Sequence, residues 1–369
     1  MMKAIETLQQ GVATQNNYLG TLIRIARAKQ ASDLHVIAGL PPALRVNGEI
    51  VMLEADVLRA EEVAAMTLGL LNEVQREHLE KTRELCFSVF DKEAGRMRVT
   101  VYFHAGVPEL SVRLCSLEIE DTASLGLPPI VAEFARRPNG LVLITGPTGM
   151  GKTTTLNHMI DLINRERRCK IITIEDPVEY VHRPLRSLIV QQEVYTDVLS
   201  FSSALVHVLR QNPDVIVIGE MRELETISTA LTAAETGHLV MATLHTPNVL
   251  QTMERIIGVF PADQQKQIIL QLANSLQGVL AQELIPRADG TGRVLAYEVL
   301  LPTGAVRNMI RENAVHKIEN ALATGRREGM ISMDACLADL YQRAVITYDA
   351  AISRARDPRQ ITGERMMMP

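Results

Sequence analysis

Eight consecutive residues, Gly146-Pro147-Thr148-Gly149-Met150-Gly151-Lys152-Thr153, combine three glycines with a lysine and a hydroxyl in the order G-x-x-x-x-G-K-[ST]. Glycines let backbone N–H groups curl around phosphate oxygens, and a helix that follows adds the positive end of its dipole. Lys152 reaches the β- and γ-phosphates of a nucleoside triphosphate, and the Thr153 hydroxyl is a ligand for Mg²⁺. Thr154 opens the expected helix and completes the set from Gly146 expected to touch ATP.

A phosphate loop also needs carboxylates for Mg²⁺ and water, and two acidic sets end apolar runs. One is Glu175-Asp176-Pro177-Val178-Glu179 after Ile171-Ile172-Thr173-Ile174. The other is Gly219-Glu220-Met221-Arg222 after Val215-Ile216-Val217-Ile218. Gly219 stands before Glu220, so Glu220 is the strand-end acid there, binding Mg²⁺ through water or polarising the attacking water. Strand-end acids elsewhere are solvated caps, and Glu175 and Asp176 fit either role. His238 and His245 flank one apolar run, with Thr243 and Thr246 beside the second, where a γ-phosphate could be contacted. Arg96 and Arg98 share a strand face at period two, and Arg113 lies on the next apolar stretch. A solvated face explains their spacing, yet phosphoryl transfer profits from a guanidinium supplied from outside the loop.

These groups need a scaffold of two kinds. Residues 18–30 read as an amphipathic helix, and 60–82 as another. Strand patterns at 32–37, 44–46, 50–52, 87–90 and 96–103, with a turn at Asn47-Gly48, make residues 1–120 a small α+β domain. Residues 121–138, with Gly126 and Pro128-Pro129, read as a linker. From residue 139 apolar strands (141–144, 171–174, 215–218, 239–243) alternate with helices (153–164, 200–211, 224–235), the pattern of a doubly wound parallel α/β sheet. That core is expected to run to residue 290, with a mainly helical region over 291–369.

Composition narrows the partners. Net charge is -5, and aromatic residues make up 4% without tryptophan, so neither a basic stripe nor stacking platforms for nucleic acid stand out. The four cysteines (Cys86, Cys115, Cys169, Cys336) are far apart and form no C-x-x-C, against a zinc knuckle or disulfide framework. Residues 1–10 carry no apolar signal-peptide region, and no apolar run approaches a membrane span, which predicts a cytoplasmic protein.

Together the motifs resemble one family, the type IV pilus retraction (twitching-motility) ATPases of the secretion ATPase superfamily. Ser32-Asp33-Leu34-His35, Pro41-Pro42 and Arg45-Val46-Asn47-Gly48 resemble its entry segment, and Gly95-Arg96-Met97-Arg98 with Arg113 its arginine-bearing strands. Gly146 to Thr153 matches its Walker A motif, Thr173 to Glu179 its Asp box, Gly219-Glu220-Met221-Arg222 its Walker B region, and Glu235 to Thr246 its His box. Ala305-Val306-Arg307-Asn308-Met309-Ile310-Arg311-Glu312 is similar to the helix signature of the retraction branch.

The resemblance implies a PAS-like N-terminal domain and a RecA-like ATPase domain in a homohexameric ring. It implies ATP and Mg²⁺ between subunits, and domain rotation that removes pilin through an inner-membrane platform protein. Paralogous motor or pilus-assembly ATPases are further implied partners, at the cytoplasmic face of the inner membrane. By resemblance Lys152 and Thr153 hold phosphates and Mg²⁺, Glu220 is the Walker B acid, Glu179 activates water, His245 senses nucleotide, and Arg98 and Arg113 are arginine fingers. The chain departs from the family at Met150, where a small Ser is usual, and at Gln192 and Tyr195, where Arg and Gly are usual. Thr100 stands where Asn is common. The same superfamily holds pilus-extension and type II secretion ATPases, which usually carry a longer N-terminal region and a tetracysteine element, and accessory retraction paralogues of low turnover. A RecA-type nucleic-acid translocase and a nucleotide-sensing ring are the readings from other classes.

Overall fold

A computed structural model describes residues 18–46, 49–91, 95–114 and 124–361. Asn47-Gly48, Cys115, the start of the expected linker and the Met366 to Met368 tail lie outside the described residues. The chain divides into two compact units. The first holds residues 1–118 together with 175–181 and 191–200, and the second holds 119–174, 182–190 and 201–369.

Among the described residues the first unit is a six-stranded sheet with three helices, α1 (18–28), α2 (Ala60–Leu68) and α3 (Glu73–Thr82). Its strands are β1 (Asp33–Val36), β2 (Ala43–Val46), β3 (Glu49–Met52), β4 (Glu84–Asp91), β5 (Gly95–His104) and β6 (Val107–Leu114), in the order β3-β2-β1-β6-β5-β4. The pairings among the described residues of these strands are antiparallel. In β5 Met97, Val99 and Val101 are buried in the core with Leu34, Phe87, Leu110 and Val112, so period two turns Arg96, Arg98 and Thr100 to the opposite face. The pattern over 60–82 reads as one helix, and the structure breaks it. Asn72 accepts the Gln75 N–H at 2.8 Å while the Gln75 side chain accepts the Asn72 N–H at 3.0 Å, a reciprocal cap that starts a second helix.

A seven-stranded sheet ordered β13-β12-β7-β11-β10-β8-β9 belongs to the second unit, except Glu175 at the end of β8 and residues 191–193 of β9, which count with the first. Its strands are β7 (Gly140–Thr145), β8 (Lys170–Glu175), β9 (Leu188–Glu193), β10 (Val215–Ile218), β11 (Leu239–Leu244), β12 (Leu276–Pro286) and β13 (Arg293–Leu300). Strands β7, β10 and β11 are buried at every residue, as expected of strands covered on both faces. Parallel pairs β8–β10, β10–β11, β11–β7 and β7–β12 bring their C-terminal ends to one edge.

The helices of this unit are α4 (Ile130–Ala135), α5 (Lys152–Glu166), α6 (Phe201–Val208), α7 (Leu224–Glu235), α8 (Val249–Gly258) and α9 (Ala262–Ser275), followed by α10 (Gly304–Arg311), α11 (Ile318–Thr324), α12 (Met333–Gln342) and α13 (Tyr348–Ile352). An eleven-residue strand, β12, joins the parallel sheet, and β13 pairs beside it inside the region over 291–369 expected to be mainly helical. Gly278 is the one helix-weakening residue in the run Leu276 to Ala281, and a lone glycine is tolerated in helices, so periodicity hides the change at Leu276. Arg307 in α10 fastens this junction by donating to the carbonyls of Ala273, Asn274 and Leu276 where α9 ends. On β13 the buried Glu298 accepts the N–H of Val249 at 2.8 Å and of Met333 at 3.4 Å, capping α8 and α12 with one carboxylate. Among the described residues no helix is long and apolar enough to cross a membrane.

Candidate functional site

The phosphate loop leaves β7 at Thr145 and enters α5 at Lys152. Gly146 has φ +141°, and a Cβ there would lie 2.3 Å from the Gln282 carbonyl oxygen of β12. Gly151, at φ +82°, is the N-cap of α5. Both need glycine, one for the close approach of a neighbouring strand and one for a left-handed turn. The Lys152 ammonium, 7% exposed, donates to the carbonyls of Gly146 at 2.7 Å and Pro147 at 2.9 Å. Burial lowers its pKa, and the negative charge of Glu220 works against that shift. One turn into α5, Asn157 donates to the Thr153 carbonyl at 2.8 Å and faces His182 Nε2 at 2.7 Å. Its amide oxygen therefore accepts from a His182 that carries its proton on Nε2.

Parallel register places the second acid and His245 beside this loop, since Ile218 pairs Ala242 and Thr145 pairs Leu244. Glu220 Oε1 lies 3.1 Å from His245 Nε2 and accepts from Arg222 Nε. His245 Nδ1 lies 3.1 Å from the Thr148 hydroxyl and 3.5 Å from Lys152 Nζ. A neutral imidazole with its proton on Nε2 satisfies this arrangement, donating to Glu220 and accepting on Nδ1 from the loop. Thr243 donates to the Gly219 carbonyl, and the Met221 N–H donates to Thr243 O at 3.0 Å, so the backbone around Glu220 is pinned to β11. The other flanking histidine does not join the cluster. His238 precedes β11 at its opposite end, with Nδ1 3.0 Å from the Ala233 carbonyl at the close of α7. Thr246 bonds Thr252 at 2.7 Å instead of facing the loop.

Arg98, Arg113 and Glu179 belong to the first unit. Arg98 and Arg113 are directly opposed on β5 and β6. Arg98 Nη1 lies 3.4 Å from Glu179 and its Nε donates to Cys86 Sγ at 3.0 Å. Burial works against its charge, and Cys86, Glu179 and Asp176 outweigh burial, so its pKa is raised. Arg113 pairs Asp33 at 3.0 Å and stays 65% exposed along its side chain. Arg96 differs from both. It pairs the buried Glu193 at 2.8 Å and donates to Ser88 and to the Val178 carbonyl, a binding duty inside the unit. Glu175 is 6% exposed and accepts from Gln191 Nε2 at 3.1 Å. Tyr195 adopts φ +63° and packs its ring 4.2 Å from that of His78. The residue that sequence reasoning missed is Gln282, more than a hundred positions from the loop, which donates to the Met150 carbonyl at 2.7 Å. Its one sequence signal is a polar side chain inside an apolar strand.

Among the described residues no group of three His, Cys, Asp or Glu could hold a metal ion on its own. A model of the type II/IV secretion system protein family matches residues 96–364. The chain is 40% identical over 337 residues to the type IV pilus retraction ATPase PilT of Pseudomonas aeruginosa, covering 91% of this chain and 98% of that protein. It is 39% identical over 334 residues to the type IV pilus ATPase PilU of the same organism, covering 90% of this chain and 87% of that protein. The crystal structure of the pilus retraction motor PilT with bound ADP superposes with a TM-score of 0.85 at 42% identity, covering 93% of this chain and 98% of that one.

Proposed function

Since this chain belongs to the type II/IV secretion system protein family, we infer that it hydrolyses ATP to power the retraction of type IV pili. The observation that carries this reading is its likeness to the P. aeruginosa retraction ATPase along nearly the whole length of both chains. The ATPase assignment has its chemical ground in the loop from Gly146 to Thr154, whose glycines, buried lysine and hydroxyls suit a nucleoside triphosphate.

In this mechanism the loop N–H groups and Lys152 bind and orient the phosphates. The Thr153 hydroxyl and Glu220 would hold Mg²⁺ beside the phosphates, and the ion would supply positive charge against the charge that develops on the transferred group. Glu220 takes the proton of the attacking water or orients that water, a duty it shares with or cedes to Glu179. His245, between Thr148 and Glu220, senses which phosphates the loop holds. Arg98 and Arg113 lie in a different unit from the loop and act in a neighbour's site, which requires a ring of identical subunits. A homohexamer on the cytoplasmic face of the inner membrane, turning a platform protein by domain rotation, completes the reading.

Deletion of the gene in its host, with surface pili and twitching scored, tests it. Excess unretracted pili are expected, and bald cells would mean an extension motor instead. The near-equal identity to PilU favours one second reading, an accessory retraction motor. In that case purified protein releases phosphate slowly, and deletion weakens retraction without abolishing it.

A further inference from the structure

Strand β12 runs past the end of β7. Ala281 pairs Thr145, and the next residues of β12 continue beside the phosphate loop. Gln282 is 1% exposed there, and its Nε2 donates to the Met150 carbonyl. Its Oε1 is buried with no hydrogen-bond partner among the described residues. A buried acceptor without a partner costs free energy that an apolar residue of similar size would avoid. A glutamine at this position therefore has work that a leucine could not do.

The work follows from peptide geometry. The Met150 carbonyl and the Gly151 N–H belong to one trans peptide and point in opposite directions. Holding the carbonyl toward β12 turns the N–H into the loop, where an anion is cradled. One further contact fixes the same peptide, and the loop passes so close to Gln282 that only glycine fits comfortably beside it. Met150 Sδ accepts the Leu284 N–H at 3.2 Å, and a Cβ on Gly151 would stand 3.3 Å from Gln282 Nε2. We propose that Gln282 is a positioning residue of the phosphate loop, which aims the Gly151 N–H at a nucleotide phosphate by holding the other end of the same peptide. Met150 closes the clamp from the loop side: the unusual side chain in the loop anchors it to β12 instead of filling the cradle.

This rests on nucleotide binding by the loop, and calorimetric titration of the full chain with ADP and with adenosine tests the two separately. Lys152→Ala is the control for the underlying reading. If it binds ADP as the parent does, the loop is not the nucleotide site. With that control weakened, Gln282→Leu should raise the dissociation constant for ADP about tenfold, the loss of one bond to a charged acceptor, and leave adenosine binding unchanged. Its melting temperature should stay close to the parent's, because removing the orphaned acceptor offsets the bond that the Met150 carbonyl loses. Parent-like ADP affinity, or equal weakening toward adenosine, overturns the proposal. Gln282→Glu guards against a misfolded leucine variant. Its carboxylate has no proton to give Met150 at pH 8 and gains one as pH falls, so its ADP affinity relative to the parent should recover on acidification. An affinity ratio independent of pH overturns the proposal equally.

Discussion

At the scale of single residues, chemistry concentrates where a charge is held without much water. Lys152 and Glu220 sit on either side of His245, and each has a separable duty. Glu220→Gln keeps shape and hydrogen bonding while removing the charge that, in the proposed mechanism, handles Mg²⁺ or water. Nucleotide binding should survive in that variant and turnover fall about a hundredfold or more. Lys152→Ala should lose both. A phosphate-release assay beside a binding titration reads the split, and unchanged turnover in the glutamine variant would move the base to Glu179. The phosphate loop was legible because its chemistry needs eight adjacent positions, so sequence order is spatial order. Glu220 was legible because it ends an apolar run. Gln282 was not, because its relation to Met150 exists only once β12 lies against β7. His238 misled for a related reason: proximity in sequence to His245 hides that a six-residue strand puts the two at opposite ends of the sheet.

Elements were readable where one periodicity prevailed. The buried parallel strands and α7 match the hydrophobic pattern almost residue for residue, while α2–α3 and α9–β12 change course at a cap or a junction that periodicity does not register. One buried histidine joins two such elements. His182 faces Asn157 of α5 from the segment that precedes β9, and burial, opposed by Asp161, holds its pKa at about 4. The unfolded chain binds that proton near pH 6.5, so the fold loses stability as pH falls from about 6.5 toward 4, by up to about 3 kcal/mol. Above pH 6.5 the contribution is fully present. His182→Gln removes it, so the gap in melting temperature between parent and variant should narrow on acidification through that window. A gap of constant width would mean that His182 is charged in the fold.

For the whole molecule, the decisive question is whether one subunit's arginines serve another's loop. Arg98→Ala and Arg113→Ala should cut hydrolysis by about 10³-fold or more and leave nucleotide affinity nearly intact, since a guanidinium that meets charge in the transition state contributes to rate. Mixing Lys152→Ala subunits with Arg113→Ala subunits should then restore part of the activity, because some interfaces regain an intact loop and an intact arginine. If subunits exchange and no activity returns, the arginine works within its own chain. The division into two units carries one more consequence, for the order of synthesis. The first unit takes its last pieces from residues 175–181 and 191–200, including Glu193, the partner of Arg96 and Ser88. When the ribosome has made Glu118, that unit is still missing the carboxylate that pairs with its half-buried Arg96 guanidinium, and at ordinary translation speed the shortfall lasts roughly 4 to 15 s. The nascent N-terminal portion must therefore wait, incomplete, while the phosphate loop is being made, and chains halted at residue 118 should be digested by protease far faster than chains halted beyond residue 200.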